Sequence, residues 1–198
     1  WDDPQLNTTS AFFGFFLAAN GQEATTRGIE LELEGYLTDT LHYRVGYTWL
    51  EAELAEDFIS PQTGAVVAPV RSDLPGAPNN TLSFNVDNRW QVGADMELVA
   101  GVNGYYQSEA ENFVDQSSVL NETYESFLLL GASASLTRDN WQATLYVRNL
   151  TDEEGVSGGF PSAYWSYDTG IFENWYGNGN RRFIVEPRTI GLRLGYRF

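Results

Sequence analysis

Residues 187–198 read PRTIGLRLGYRF, in which Ile190, Leu192, Leu194, Tyr196 and Phe198 alternate with Gly191, Arg193, Gly195 and Arg197. Successive side chains on a strand point to opposite faces, so this segment predicts a strand with one apolar face and one face that carries arginines. Such a strand needs a different solvent on each side. The rest of the chain decides which two.

The same period of two recurs along the whole sequence. In RGIELELEGYL (27–37), Ile29, Leu31 and Leu33 oppose Glu30, Glu32 and Glu34; in LHYRVGYTW (41–49), Leu41, Tyr43, Val45, Tyr47 and Trp49 oppose His42, Arg44, Gly46 and Thr48. TLSFNVDN (81–88), ADMELVAGVNGYY (94–106) and WQATLYVRNL (141–150) alternate in the same way, and YESFLLLGASASL (124–136), though noisier, keeps Leu128, Leu130, Ala132, Ala134 and Leu136 in one register. With 187–198 these make seven strands of about 9 to 15 residues, the length that a tilted membrane-spanning strand requires.

Connector length adds a second regularity. Short links at 38–40, 88–93 and 137–140 take turns with long ones at 57–80, 107–123 and 151–186. Tight turns on one side and long loops on the other characterise an antiparallel outer-membrane β-barrel, whose turns are periplasmic and whose loops are extracellular. On this reading Phe198 lies at the periplasmic end and residues 152–186 lie outside. Tyr43, Trp141, Tyr196 and Phe198 near one end, and Trp49 and Tyr106 near the other, are placed as two interfacial girdles.

Composition narrows the function classes. The 198 residues carry 27 acidic against 11 basic side chains, a formal net charge of -16, which leaves no basic footprint for nucleic acid. There is no cysteine and one histidine, His42, so neither a disulfide framework nor a multi-histidine metal centre is expected. No apolar run is long enough for a transmembrane helix. The N-terminus, WDDPQL, has neither an initiator methionine nor a signal-peptide pattern, as expected of a processed product or a piece of a longer protein.

Four stretches in order, AANGQEATTRGIELEL (18–33), LPGAPNNTLSF (74–84), LYVRNLTDEE (145–154) and the closing PRTIGLRLGYRF, make the chain resemble the C-terminal part of TonB-dependent outer-membrane receptors. The resemblance implies an all-β fold in which residues 1–198 are the C-terminal third of a barrel of about 22 strands with a plugged lumen. Seven full strands are present, with the end of an eighth expected in WDDPQL. It further implies TonB-energised uptake of a scarce ligand, such as an iron chelate, a cobalamin-like cofactor or an oligosaccharide. The implied partners are outer-membrane lipid and lipopolysaccharide, the N-terminal strands and plug, the inner-membrane TonB complex and the β-barrel assembly machinery. Phe198 resembles the terminal signal that this machinery reads. The protein is expected to be no enzyme and to need no cofactor.

The longest loop gathers Tyr164, Trp165, Tyr167, Trp175 and Tyr176 beside Arg181 and Arg182. Aromatics supply flat contact area and arginines read anionic groups in a forked geometry, so these residues are candidate ligand contacts. A small aromatic cluster that merely keeps the loop folded is the competing explanation. Glu30, Glu32 and Glu34 stand about 7 Å apart along one strand. With Arg193 and Arg197 they are expected to face the lumen, as a solvated wall against the plug rather than a catalytic pair. The acidic run Asp152, Glu153 and Glu154 reads as a solvated loop in preference to an ion site. Two other architectures compete: a self-contained small outer-membrane barrel acting as anchor or adhesin, and a secreted carbohydrate-binding β-sandwich, which alone would stay soluble without detergent.

Overall fold

The computed structural model describes residues 1–9, 16–21, 23–60, 63–115, 121–160, 163–166, 171–174 and 181–198. Its strands, in chain order, are β1 (Gln5–Thr9), β2 (Phe16–Asn20), β3 (Ala24–Tyr36), β4 (Leu41–Leu54), β5 (Phe58–Ile59), β6 (Val66–Ala68), β7 (Asn80–Val92), β8 (Met96–Gln107) and β9 (Ala110–Glu111). They continue with β10 (Thr123–Tyr124), β11 (Phe127–Arg138), β12 (Trp141–Arg148), β13 (Val156–Phe160), β14 (Ala163–Ser166), β15 (Ile171–Asn174), β16 (Arg181–Ile184) and β17 (Thr189–Tyr196). The long strands form one antiparallel sheet of seven, in the order β17-β12-β11-β8-β7-β4-β3, so every strand lies beside its neighbours in sequence.

The register keeps the alternation coherent across that sheet. Leu33 pairs with Val45, Val45 with Phe84, Phe84 with Gly104 and Gly104 with Leu130, all of one parity. Farther along, Val102, Ala132, Val147 and Ile190 form another such row. The opposite parity carries Glu30, Glu32, Glu34, Arg44, Asn85, Asp87, Asn103, Thr144 and Arg193. A slip of one residue in any strand would mix the two faces, so the shared pattern itself fixes the pairing.

The short connections are built for tight reversal. Between β3 and β4, Thr38 Oγ1 accepts the Leu41 amide at 3.0 Å. Gly93 and Asp139, in the other two, adopt φ of +71° and +51°, and the left-handed region is easily reached only by glycine, asparagine and aspartate. Trp141, Tyr196 and Phe198 cluster at this short-turn end, with ring centroids 4.8 and 5.1 Å apart.

The apolar face of the sheet is not its core. Leu33, Leu192 and Ile190 are 61%, 64% and 70% exposed. Leaving one such side chain in water rather than hydrocarbon forgoes roughly 1.5–3 kcal/mol, so a face that bears exposed large apolar side chains on six of its seven strands implies an apolar solvent. The buried residues lie instead at the long-loop end, where Ala24, Ala52, Leu54, Phe58, Ala68, Leu74 and Val114 pack together with Leu6 and Ala19. On β4, Ala52 and Leu54 share parity with His42, Arg44 and Thr48, so the polar face turns apolar as the strand passes under its loops. Residues 71–79 run back beside β4: the Leu50 amide donates to the Asn79 carbonyl at 2.9 Å and the Leu74 amide to the Ala52 carbonyl at 2.9 Å.

The long connectors hold their own two-stranded sheets, β5-β6, β9-β10, β13-β16 and β14-β15, and a further one, β1-β2, precedes β3. The expected eighth strand end is confined to Trp1 and Asp2, because Trp1 exchanges two 3.0 Å backbone hydrogen bonds with Ala24, and Asp2 bridges Glu23, on the outer edge of β3. From Gln5 the chain leaves for β1. Pro4, fully buried, lacks the amide that a continuing ladder needs.

Leu192→Arg, on the apolar face, is expected to destabilise the bilayer-embedded protein by about 2–4 kcal/mol, whereas Ser133→Arg on the polar face leaves it nearly unchanged. Urea-unfolding midpoints in liposomes, taken on the intact protein, provide the check.

Candidate functional site

At the long-loop end, two ribbons stand against each other. The β9-β10 hairpin is stitched by Thr123 Oγ1 and Asn121 Nδ2, which both donate to the Glu111 carboxylate at 2.8 Å, and by the Glu122 amide, which donates to Asn112 Oδ1 at 2.7 Å. Beside it lies the β13-β16 ribbon, whose register runs from Val156 opposite Ile184 to Phe160 opposite Arg181. Two glycines allow close approach. A Cβ on Gly159 would sit 2.8 Å from the Tyr124 hydroxyl, where the ribbons touch, and one on Gly155, just before β13, would sit 2.5 Å from the ring of Phe127 at the start of β11. Only a residue without a side chain admits that approach.

Arg182 Nη2 forms an ion pair with Glu122 Oε1 across the two ribbons. Burial pushes the Tyr124 phenol above its usual range, and the neighbouring Glu122 charge adds to the push. The phenol therefore stays neutral well past neutral pH. A cavity of 330 Å³ opens between the ribbons, walled by Glu122, Tyr124, Glu153, Glu154 and Arg182. It offers carboxylate acceptors, one guanidinium and one aromatic wall, a set suited to a polar ligand that donates hydrogen bonds.

The root of the longest loop is held by the Asn-Leu-x-Asp motif. Asn149, left-handed at φ +48° and only 6% exposed, donates from Nδ2 to the Glu153 and Glu186 carbonyls at 2.9 Å each, and its Oδ1 accepts the Glu153 amide at 2.8 Å. Asp152 accepts the Arg188 amide at 3.0 Å and its guanidinium at 3.3 Å. The acidic run is thus divided in its duties: Asp152 holds Arg188, Glu153 is tied through its backbone, and Glu154 lines the cavity.

Toward the short-turn end the polar face carries a separate network. Arg44 donates to both Glu34 oxygens at 2.8 and 2.9 Å, His42 stands 3.2 Å from Glu34 and 3.3 Å from Asp87, and Asn85 donates to Asp87 at 2.9 Å. Glu30 and Glu32 lie on the same face, opposite Thr48 and Gly46. Arg193 shares that face opposite Thr144, and the Arg197 amide donates to the Asn140 carbonyl at 2.9 Å. No nucleophile belongs to this network.

The candidate loop residues divide accordingly. Arg181 and Arg182 begin β16, with Arg182 engaged by Glu122. Tyr164 and Trp165 lie on β14, their backbones opposite Glu173 and Phe172. Tyr167, Trp175 and Tyr176 lie outside the described residues. Glu122, Tyr124 and Asn149 were not singled out from the sequence. Gly158-Gly159 and the Asn-Leu-x-Asp motif were the signals that could have found the ribbon contact and the loop root.

A family model described as TonB-dependent receptor-like β-barrel matches residues 2–150. Among solved structures, the siderophore receptor PiuA from Acinetobacter baumannii aligns at TM-score 0.66 and 18% identity, over 98% of this chain and 23% of that one. The ferric yersiniabactin uptake receptor FyuA from Yersinia pestis aligns at TM-score 0.68 and 15% identity, over 92% and 25%. The ferric-catecholate import receptor Fiu from E. coli aligns at TM-score 0.60 and 20% identity, over 97% and 23%. The likeness at these identities is one of fold, and the chain spans about a quarter of the length of the receptors it matches. No curated protein matches it.

The cross-ribbon ion pair is testable by a double-mutant cycle. Glu122→Gln and Arg182→Gln are each expected to lower hydrogen-exchange protection of the β13-β16 amides by about 1 kcal/mol, with the double variant no worse than either. Additive losses would show that the two side chains do not work as a pair.

Proposed function

Because the chain belongs to the TonB-dependent receptor-like β-barrel family, with which it shares residues 2–150, we propose that it is part of an outer-membrane receptor that imports a scarce ligand using energy delivered by the TonB complex. The observation that carries this reading is the two-faced sheet. One face is apolar over seven strands and bears exposed large apolar side chains on six of them, the other is lined by carboxylates, amides and arginines, and all the long connections leave from one end. That is the wall of a pore set in lipid.

In this reading the apolar face meets outer-membrane lipid, with lipopolysaccharide at the long-loop rim. Glu30, Glu32, Glu34, Arg193 and Arg197 face the lumen, where the plug of the intact protein docks. The edges of β3 and β17 close against the remaining strands, and Phe198 serves as the terminal signal for the assembly machinery. The ligand is met outside, by Tyr164, Trp165, Tyr167, Trp175 and Tyr176 of the long loop together with Arg181 and Arg182. An iron chelate is favoured by the kind of fold: the matched solved receptors include a siderophore receptor and a ferric-catecholate import receptor. Arg182 meets such a ligand only by leaving or sharing Glu122.

Deletion of residues 160–180 from the intact protein is expected to abolish uptake of radio-iron supplied in the spent iron-limited medium of the source organism, while the protein still reaches the outer membrane. Undiminished uptake would overturn the assignment of this loop to ligand contact.

A further inference from the structure

The Asn149–Asp152 turn sits where two ladders meet. Below it, β12 and β17 pair up to Arg148 opposite Thr189. Above it, the Val185 amide donates to the Gly155 carbonyl at 3.0 Å and the β13-β16 ribbon begins. Between the two ladders the departing and returning segments are joined by side chains. Asn149 Nδ2 bridges the Glu153 carbonyl on one segment and the Glu186 carbonyl on the other, and Asp152 reaches across to both the amide and the guanidinium of Arg188. We infer that Asn149 and Asp152 are positioning residues that set the angle of the β13-β16 ribbon on the sheet.

The residue types are what that task demands. Position 149 needs a left-handed backbone, two donors and one acceptor within a buried space, which asparagine supplies and aspartate does not. Aspartate there would keep the acceptor, lose both donors and turn a charged oxygen toward two carbonyls. Glycine would keep the backbone and lose all three bonds. Position 152, at φ +59°, pairs its backbone amide with the Asn149 carbonyl at 3.0 Å while its carboxylate holds Arg188. Leu150 anchors the turn to the sheet through its amide, which donates to the Leu130 carbonyl at 2.7 Å.

The lever is long enough to matter. From Val156 to Phe160 the ribbon extends about 13 Å, so a tilt of about 10° at the root carries its far end about 2 Å, enough to break a hydrogen bond. The functional consequence rests on the reading that the loop contacts ligand; the positioning itself does not.

The test uses the intact receptor in nanodiscs. Spin labels are placed on cysteines replacing Arg181, at the far end of the ribbon, and Glu109, beside the end of β8; both positions are exposed and this chain has no native cysteine. The parent is expected to give one narrow interspin distance distribution. Asn149→Asp and the milder Asp152→Asn are each expected to broaden or shift it by about 2 Å, and Arg188→Gln to reproduce Asp152→Asn, with heat-modifiable barrel migration unchanged in all. Parent-like distances in both Asn149→Asp and Asp152→Asn would overturn the inference. The measurement needs no ligand, so its failure leaves the uptake result for the loop deletion standing, and failure of the deletion experiment leaves the distances untouched.

Discussion

Everything in this chain depends on one constraint: a backbone that passes through hydrocarbon must satisfy its amides and carbonyls laterally, because no water is there to do so. A sheet of neighbouring antiparallel strands meets that demand and leaves the side chains to choose the solvent on each face. With a period of two, the choice is made residue by residue. Leu33, Val45, Phe84 and Leu130 can be on one side only because Glu34, Arg44, Asn85 and Gly131 are on the other. A sheet arranged this way has no core of its own between the faces.

The core is accordingly found at one end. Where β3 and β4 rise into their loops, Ala24, Ala52 and Leu54 occupy the parity that elsewhere carries glutamate and arginine, and Phe58, Leu74 and Val114 close over them. The loops are therefore small folded units seated on the rim. This matters for function, because a loop that presents a ligand surface must bear its own ordering cost in advance. The glycines at 155 and 159, the Glu122–Arg182 pair and the Asn149 amide bring that ordering about from three directions.

The seven strands, the division of their side chains into an apolar and a polar parity, and the sorting of connectors were legible in the sequence, since alternation is a local signal that register then propagates. The loop architecture was not. In the stretch 55–79 the apolar residues Phe58, Val67, Ala68 and Leu74 show no period, because they pack around a hairpin rather than along a strand. The strand end in WDDPQL was legible only as far as Trp1 and Asp2, which pair with Ala24 and Glu23 before the chain turns away at buried Pro4. Arg182 was legible as an anion reader but not as a partner of Glu122, a contact made across 60 residues of sequence between separate loops. Asn149 showed its motif and concealed its work, which depends on a carbonyl at Glu186 that only the returning strand supplies.

The central claim is that the two faces of the sheet meet different solvents. Single spin labels at residues 190 to 195 of β17, in the intact protein reconstituted into bilayers, test it directly through collision with oxygen, which concentrates in lipid, and with a water-soluble nickel chelate. Oxygen accessibility should peak at 190, 192 and 194, and chelate accessibility at 191, 193 and 195. The opposite phase, or no period of two, would contradict the account.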